Sequence, residues 1–272
     1  MQTELTQPSI AVSLVSHGHG DLVLQALRAL ATSVREAQVS LRVWLTFNLP
    51  EPALQAAVCE CDWPFELRCI HNPQPLGFGA NHNQAFARAG VSDADADWFV
   101  VMNPDIFWPA GEALFWQGLA RDWPNDVGLV CPVQVDLVGQ RQDFARLVMT
   151  PWGIVWRVLR KLIGASPSGV VASVDRADWV NGACMVWRAK AFSALGGFDE
   201  RYFMYCEDTD ICLRLQLAGW RMRSAPVTVV HDARRHTGRN WRHLRWHMTS
   251  MWRLWCSAAF WRYVFRAQAD RP

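Results

Sequence analysis

Carboxylates stand at turns of this sequence where they could bind a metal ion or move a proton. Asp105 follows an apolar segment, residues 98–102, and is preceded by Asn103 and Pro104. A carboxylate at the open end of a buried strand suits a hard divalent cation that keeps several waters and binds a diphosphate. Asn-Pro-Asp is also a common turn sequence, so the spacing alone leaves a structural turn and a metal site both open.

Two adjacent carboxylates, Glu207 and Asp208, precede a predicted helix, and Asp210 lies in its first turn. Acidic residues at this position stabilise a helix by complementing its dipole. One of the pair could instead accept the proton of an acceptor hydroxyl as that hydroxyl attacks. Because neighbouring side chains project in different directions, the other carboxylate could then hold a sugar.

His231 ends the last predicted strand and is followed by Arg234, Arg235 and His236. An imidazole can ligate a metal ion, and arginines can neutralise a departing diphosphate. A histidine at the end of a strand is also often structural, so the residues alone leave both interpretations open.

Strands that alternate with helices must position these groups. In the first half, the hydrophobic periodicity predicts strands over 10–16, 41–47, 65–71 and 98–102 and helices over 22–37, 53–59 and 81–89. Such alternation favours a parallel α/β sheet, in which ligands bind at the carboxyl ends of the strands. Four polar residues follow predicted strands and should therefore meet in one crevice: His17, Asn48, Asn72 and Asp105.

The second half is less regular. It predicts strands over 127–135, 179–188 and 227–231, helices over 189–195 and 209–218, and a mobile segment over 141–168. From residue 240 onward, tryptophans and arginines interleave and apolar residues recur every three or four positions, which predicts an amphipathic helix. Such a tail could lie in the headgroup region of a bilayer or pack on the catalytic core, and the sequence favours neither.

Composition narrows the class of protein. The chain has 272 residues, is 51% apolar and carries a formal charge of +2, too small for a general nucleic-acid binder. Its eight cysteines lack the spacing of a zinc site or a disulfide framework, which favours reduced thiols in the cytoplasm. The sequence shows no signal peptide and no apolar run of about 20 residues. We therefore predict a cytoplasmic protein that contacts a membrane surface at most.

Three segments together resemble glycosyltransferase family 2. They are NPQPLGFGANHNQA at residues 72–85, the MNPDI sequence that ends the fourth strand, and GACMVWRAKAFSALGGFDERYFMYCEDTDICLRLQLAGW at residues 182–220. Within that family, Asn-Pro-Asp-Ile in place of Asp-x-Asp resembles the rhamnosyltransferase-like branch. The resemblance implies a glycosyltransferase-A fold, which is a Rossmann-like, mostly parallel sheet flanked by helices. It covers residues 8–240, with a nucleotide-sugar half (8–110) and an acceptor half (111–240), followed by the tail (241–272).

The resemblance also implies roles for particular residues. Asp105 and His231 would hold Mg²⁺ or Mn²⁺, Asp208 would be the general base, and Glu207 would orient the acceptor. Acceptor-side positions are Trp179, Gly182 and Ala183. The predicted donor site comprises Ser16, His17, Asn48, Asn72, Gly77, Gly79, Asn81, Asn83, Asn103, Arg234, Arg235 and His236.

The expected reaction is an inverting, metal-dependent transfer of a sugar from a dTDP-, UDP- or GDP-sugar, with dTDP-rhamnose suggested by the branch. The acceptor would be a cell-envelope glycan or a lipid-linked glycan, reached through peripheral contact with the inner face of the membrane. Two departures leave the nucleotide open: Ser16-His17-Gly18-His19 replaces a Thr-Tyr-Asn-like sequence, and Phe47-Asn48 replaces Asp-Asn, whose Asp reads the base in the family.

Three rival functions are weighed against this one. A nucleotidyltransferase would carry a basic residue in an early glycine-rich loop, but His17-Gly18-His19-Gly20 contains no lysine or arginine. A catalytically degenerate transferase domain that binds carbohydrate or supports assembly would be consistent with the missing base-reading Asp, but not with the retained acidic residues. A nucleic-acid binder would draw only on the Trp/Arg-rich tail, and we predict no nucleic-acid partner.

Overall fold

A mixed eight-stranded sheet forms the centre of the molecule. The structure, a computed structural model, describes residues 9–35, 37, 39–90, 97–119, 123–154, 156, 171, 173–233 and 241–270. The strands are β1 (Ser9–Ser16), β2 (Ser40–Phe47), β3 (Glu66–His71), β4 (Trp98–Met102), β5 (Ile106–Phe107), β6 (Val127–Val135), β7 (Ala145–Arg146), β8 (Trp179–Val180), β9 (Cys184–Arg188) and β10 (Arg221–His231).

The order in the large sheet is β3-β2-β1-β4-β9-β6-β10-β5, while β7 and β8 form a separate antiparallel pair. Neighbours pair in parallel except for β9, which runs against β4 and β6, and β5, which runs against β10. The carboxyl ends of β2, β1 and β4 therefore share one edge. This edge receives the polar residues that the sequence placed after the strands.

Helices cover both faces of the sheet. They are α1 (Asp21–Val34), α2 (Pro52–Cys59), α3 (Phe78–Arg88), α4 (Ala113–Gly118), α5 (Ala189–Ala194), α6 (Glu207–Leu217), α7 (Trp241–Trp255) and α8 (Ala258–Asp270), with a 3₁₀ turn at Val174–Arg176. Helix α1 buries its apolar side in one core cluster, whereas α3, α5 and α6 contribute to a second cluster. Burial on both faces explains why strands such as β4 consist entirely of apolar residues.

Several element boundaries differ from the sequence-based predictions. The segment 179–188 is two strands, β8 and β9, and the last strand begins at Arg221 instead of residue 227. Helix α3 begins at Phe78, and the sequence did not predict β5 or α4. Part of the segment predicted to be mobile is ordered in β7 and in its hydrogen bonds to β8, and residues 157–170 lie outside the described part of the chain.

The tail forms two helices, α7 and α8, that pack on the core. Phe260, Tyr263 and Val264 of α8 are buried in a third cluster with Tyr202 and Leu213. Such packing was one of the two interpretations of the tail. Among helices in the described ranges, none has the combination of length and apolar character that crossing a bilayer requires.

Candidate active site

Asp105 and His231 lie together because the short strand β5 pairs with the end of β10. His231 pairs with Ile106, and the Asp232 backbone N–H donates to the Asp105 carbonyl at 2.9 Å. The His231 Nε2 atom is 3.5 Å from the Asp105 Oδ2 atom. The pairing therefore joins two residues that are far apart in sequence, as the predicted metal site requires.

In the described part of the chain, each residue of this pair has one buried polar atom without a partner, a condition that a predicted cation ligand should meet. Within the described residues, the Asp105 Oδ1 and His231 Nδ1 atoms are buried and have no hydrogen-bond partner. No group of three or more His, Cys, Asp and Glu side chains in the described ranges is arranged to hold a metal ion. Two protein ligands suit a cation that takes its other ligands from water and a substrate diphosphate, as Mg²⁺ commonly does.

Backbone hydrogen bonds connect this pair to the predicted base. The Asn103 N–H, in the turn that carries Asp105, donates to the Ala183 carbonyl at 2.8 Å. The neighbouring Gly182 N–H donates to the Asp208 Oδ2 atom at 3.2 Å. The predicted metal, acceptor and base residues thus meet in one region of the structure.

Gly182 is the right residue for this close packing. A Cβ atom at Gly182 would lie 3.0 Å from the Phe78 Cζ atom and 3.7 Å from the Asp208 Cβ atom. A side chain here would fill the space between the N-terminus of α3 and the carboxylate. The third predicted acceptor residue, Trp179, lies farther along β8, where its Nε1–H donates to the Leu147 carbonyl at 3.3 Å.

The two adjacent carboxylates differ in their surroundings. Burial, followed by the charge of Asp208, raises the pKa of Glu207 well above its ordinary range. Burial also raises the pKa of Asp208, although hydrogen bonds from the Thr209 and Gly182 N–H groups oppose this rise. The Glu207 Oε2 atom is buried without a partner in the described structure. Asp208 is therefore the member of the pair better able to carry the negative charge.

The third acidic residue of the cluster has a structural role. Asp210 accepts a hydrogen bond from the Arg214 Nε–H at 2.7 Å. The same guanidinium donates to the Leu195 and Gly197 carbonyls at 2.8 and 2.9 Å. Asp210 thereby fixes α6 against the Gly-Gly turn and leaves the chemistry to its neighbours.

The predicted donor side is a network of asparagine side chains at the strand ends. The Asn72 Nδ2–H₂ group donates to the Oδ1 atoms of Asn48 and Asn81, at 2.9 and 2.7 Å. Asn81 in turn donates to the Leu76 and Gly77 carbonyls at 3.2 and 2.9 Å. These bonds hold the loop between β3 and α3 against the end of β2.

Asn48 uses all of its side-chain hydrogen-bonding capacity within the protein. Its Oδ1 atom accepts from the N–H of Leu76 and from Asn72, at 2.8 and 2.9 Å. Its Nδ2–H₂ group donates to the Leu76 carbonyl and to His17 Nδ1, both at 3.0 Å. Because the Leu76 N–H needs an acceptor and its carbonyl needs a donor, the amide has one possible orientation.

We expect Asn48→Asp to destabilise the protein, although aspartate has nearly the same size and shape as asparagine. The new carboxylate would have no hydrogen to donate to the Leu76 carbonyl or to His17. A buried pair of acceptors left facing each other costs about 1–3 kcal/mol of unfolding free energy. Chemical denaturation measures the change, with Asn72→Asp as a half-buried comparison. An Asn48→Asp variant as stable as wild type would contradict this description of the network.

A glutamate that the sequence did not single out organises the loop after β1. The Glu51 carboxylate accepts from the Ser16 Oγ–H at 2.6 Å and from the Gly18 and Gly20 N–H groups at 2.9 and 3.0 Å. Burial would raise the pKa of Glu51, but these hydrogen bonds outweigh it and lower that pKa. Sequence pattern gave no signal of this role, because the Gly18 and Gly20 N–H groups lie 33 and 31 residues earlier in the chain.

Predicted glycines of the donor loop make room for the protein's own backbone and rings. A Cβ atom at Gly77 would lie 2.6 Å from the Phe203 carbonyl oxygen, and one at Gly79 would lie 2.6 Å from the Phe198 Cβ atom. The Phe78 N–H donates to the same Phe203 carbonyl at 2.9 Å. The N-terminus of α3 is therefore in contact with the segment that precedes the two carboxylates.

The remaining predicted residues lie at the edges of this region or outside the described part of the chain. Asn83 exchanges two hydrogen bonds with the backbone of Phe198, at 2.8 and 2.9 Å, so it connects α3 to the Gly-Gly-Phe-Asp-Glu segment. Arg234, Arg235 and His236 fall within residues 234–240, which the structure does not describe.

Comparison with known proteins identifies the family. The sequence model described as glycosyltransferase-like family 2 matches residues 8–249. The chain is 31% identical over 198 residues to an N-acetylglucosaminyl-diphospho-decaprenol L-rhamnosyltransferase of Mycobacterium tuberculosis, a match that covers 64% of this chain and 61% of the relative. It is 26% identical over 250 residues to the rhamnosyltransferase WbbL of Escherichia coli K12, which covers 90% of this chain and 91% of the relative.

Solved structures with much lower sequence identity share the fold. A mannosyltransferase from Pyrobaculum calidifontis, in complex with GDP-Man and Mn²⁺, superposes with a TM-score of 0.58 at 16% identity and covers 98% of this chain and 66% of its own. TarS of S. aureus superposes with a TM-score of 0.57 at 12% identity, covering 82% of this chain and 60% of its own. The chain belongs to glycosyltransferase-like family 2.

Proposed function

We propose that the protein is an inverting, metal-dependent transferase that moves rhamnose from dTDP-rhamnose to a lipid-linked glycan of the cell envelope. One observation carries the proposal. Asp208, a carboxylate with a raised pKa, accepts a hydrogen bond from the Gly182 N–H, and the next residue, Ala183, is hydrogen-bonded to the turn that holds Asp105. This arrangement supports a general base at Asp208, close to the position proposed for a diphosphate-bound cation.

In the proposed reaction the acceptor hydroxyl attacks the anomeric carbon of the donor sugar. The new carbon–oxygen bond forms as the bond between that carbon and the diphosphate breaks, and the nucleoside diphosphate leaves. Asp208 takes the hydroxyl proton, and its raised pKa makes it a stronger base than an ordinary aspartate. A single displacement inverts the anomeric centre and requires no nucleophile from the protein.

Asp105 and His231 are the residues that would hold the cation in this proposal. When bound, a divalent cation neutralises charge that develops on the leaving diphosphate. The buried, unpartnered atoms of the pair are consistent with this role, and the mannosyltransferase and GalNAc-T7 structures with the same fold contain Mn²⁺.

The choice of rhamnose rests on the relatives. Two of them carry rhamnosyltransferase names, and the mycobacterial one is named for an N-acetylglucosaminyl-diphospho-decaprenol acceptor. Because the match covers 61% of that relative, its acceptor is a guide to a test. The donor site would comprise the strand-end residues of the nucleotide-sugar half, residues 8–110.

In this proposal His17 contacts the nucleotide base, and Asn48 orients His17. The fixed Asn48 amide donates to His17 Nδ1, so a neutral His17 carries its proton on Nε2. The ring is exposed at the end of β1, where an Nε2–H group can donate to a carbonyl oxygen of thymine or uracil. The position of this donor makes His17 the candidate that recognises a pyrimidine.

We expect His17→Phe to weaken dTDP binding by roughly 3–10-fold, the value of one hydrogen bond. His17→Gln, which keeps a donor, should bind dTDP nearly as well as wild type. Calorimetry with dTDP and with the 2-pyrimidinone analogue, which lacks the O4 oxygen, separates the ring from the hydrogen bond. Equal loss of both ligands in His17→Phe would show that His17 does not read that oxygen.

The lipid-linked acceptor implies contact with the inner face of the membrane. Exposed apolar residues on the first tail helix, α7, support such contact, as described below. The test of the whole proposal is transfer of labelled rhamnose from dTDP-rhamnose to a prenyl-diphosphate-linked N-acetylglucosamine in the presence of Mn²⁺. A product with the donor's anomeric configuration would overturn the inverting mechanism, and absence of any product would overturn the substrate pair.

A further inference from the structure

The segment before the two carboxylates is held by the inner face of α7. The Phe203 ring packs on Trp246 with centroids 4.9 Å apart. The Met204 carbonyl accepts from the Ser250 Oγ–H at 2.8 Å. The tail therefore touches two successive residues of the segment 201–206, which we call the catalytic loop.

Further contacts continue along the catalytic loop in both directions. The Tyr205 hydroxyl is 2.9 Å from His243 Nδ1, and its ring lies 5.2 Å from that of His247. At the other end, the Arg253 guanidinium donates to the Arg201 carbonyl and lies 5.7 Å above the Tyr202 ring. Each residue from 201 to 205 therefore contacts α7 through a hydrogen bond or a ring contact.

The catalytic loop has a conformation that needs such support. Tyr205 and Cys206 both have left-handed backbones, with φ angles of 72° and 64°. Residues other than glycine rarely adopt this backbone conformation, and surrounding contacts must hold them in it. Glu207 and Asp208 follow directly as the first residues of α6, so the contacts with α7 hold the chain immediately before the two carboxylates.

The outer face of the same helix is apolar and exposed. Trp241, Leu244, Met248 and Trp252 are 83%, 52%, 57% and 68% exposed. Their spacing of three and four residues aligns them in one stripe along α7. We call this set the outer stripe.

The charge of α7 indicates what the outer stripe contacts. Besides Arg253, which contacts the catalytic loop, the helix contains arginines at 242 and 245 but no aspartate or glutamate. Tryptophan and leucine beside arginine, on a helix too polar to cross a bilayer, are typical of a helix that lies on an anionic lipid surface. This charge is complementary to phosphate headgroups.

We propose that α7 couples membrane binding to catalysis: its outer stripe docks on anionic lipid, and its inner face positions the catalytic loop. The inference rests on the proposed function and adds a regulation of the same site. Lipid that binds the docked helix stabilises the arrangement in which His243, Trp246 and Ser250 hold the loop. By linkage, a loop held by α7 also favours lipid binding.

The inner face is tested with Trp246→Ala and a short-chain, water-soluble acceptor. We expect kcat to fall on the order of 10-fold, because small displacements of a base reduce rate steeply, while the Kd for dTDP with Mn²⁺ stays within twofold of wild type. Trp246→Phe, which keeps a ring for Phe203, should restore most of the rate. Unchanged kcat, or an equal loss of dTDP affinity, would overturn the positioning role.

A double-mutant cycle tests a second contact between α7 and the catalytic loop and leaves Trp246 in place. Tyr205→Phe and His243→Phe each delete one partner of the 2.9 Å hydrogen bond and keep an aromatic ring for the neighbouring Trp246 and Tyr205 rings. We expect similar reductions in kcat from each, and no further reduction in the double variant. Additive effects would show that the two side chains do not act through each other.

The outer stripe is tested with vesicles of phosphatidylglycerol and of phosphatidylcholine. We expect phosphatidylglycerol vesicles to bind the wild-type protein and to raise kcat on the soluble acceptor about threefold or more. Trp252→Ser should lose both effects, whereas Leu114→Ser, which alters an exposed leucine on α4, should keep them. The lipid proposal would be overturned if both lipids raised kcat equally, or if phosphatidylglycerol raised the kcat of Trp252→Ser as much as that of wild type.

The measurements separate failure of this inference from failure of the proposed function. A wild-type protein that neither binds dTDP nor transfers rhamnose would contradict the function. A wild-type protein that does both, with a kcat insensitive to Trp246→Ala and to lipid, would contradict the coupling alone.

Discussion

Asp208→Asn should reduce sugar transfer by a factor on the order of 10²–10⁴, which is the usual contribution of a general base. The amide keeps the size of the side chain but cannot take a proton, and its single oxygen can replace only one of the two carboxylate oxygens that accept from the Gly182 and Thr209 N–H groups. Donor binding should persist, because the predicted donor network lies at the ends of β1, β2 and β3 and not on α6, which carries Asp208. The measurement is kcat for transfer beside the Kd for dTDP with Mn²⁺.

Glu207→Gln is the matched control for this change. Burial and the Asp208 charge raise the pKa of Glu207, so Glu207 keeps its proton to a higher pH than an ordinary glutamate, and glutamine resembles the protonated side chain. We expect a smaller reduction in kcat than in Asp208→Asn. If Glu207→Gln were the more damaging change, the two roles would have to be exchanged.

The same electrostatics fixes the direction of the pH dependence. A base must be ionised to act, and burial raises the pKa of Asp208. The transfer rate should therefore fall as pH decreases through this raised pKa, at a higher pH than for an ordinary aspartate. A pH–rate profile of wild type measures this acid limb. A rate that stayed constant down to the ordinary pKa of aspartate would contradict the description of the site.

Asp105→Ala should remove the metal dependence of donor binding and lower kcat/KM by 10²-fold or more, since a bound cation contributes several kcal/mol of charge stabilisation. The variant keeps the Asp232 N–H bond to the residue 105 carbonyl, so β5 should still pair with β10. The measurement is the stabilisation of the protein by dTDP with and without Mn²⁺.

An exposed aspartate provides the control for this second prediction. Asp62 lies on the surface before β3, so Asp62→Ala should retain the full Mn²⁺ effect. His231→Ala should resemble Asp105→Ala, though with a smaller loss of Mn²⁺-dependent binding, because an imidazole ligand adds no negative charge to the site. Undiminished Mn²⁺-dependent binding in Asp105→Ala would remove this residue from the metal site.

Sequence pattern predicted the parallel strands β1 to β4 well, because buried parallel strands give continuous apolar segments that end at polar residues. It therefore placed His17, Asn48 and Asn72 near one another, and their hydrogen bonds confirm that they meet. The pattern could not predict β5, since two residues give no periodicity. The contact between Asp105 and His231 depends on that strand, so only the family resemblance could anticipate it.

Other features arise from contacts between segments that are distant in the chain. Glu51 carries three bonds to the loop after β1, yet in sequence it is a single glutamate before a proline. The tail was predicted as one amphipathic helix, but its two faces have different partners, and only the fold shows that Trp246 and Ser250 reach the catalytic loop. The division into residues 8–240 and 241–272 remains a proposal, and these contacts argue for testing both parts together.

The most direct test of the central claim is the thermal stabilisation of wild type by dTDP, UDP and GDP, each with and without Mn²⁺. A ligand that binds the folded state raises the melting temperature, and at equal concentration the tighter-binding ligand raises it more. We predict a Mn²⁺-dependent increase that is largest with dTDP. If none of the three nucleotides raised the melting temperature with or without Mn²⁺, a metal-dependent nucleotide-sugar site at these strand ends would be contradicted.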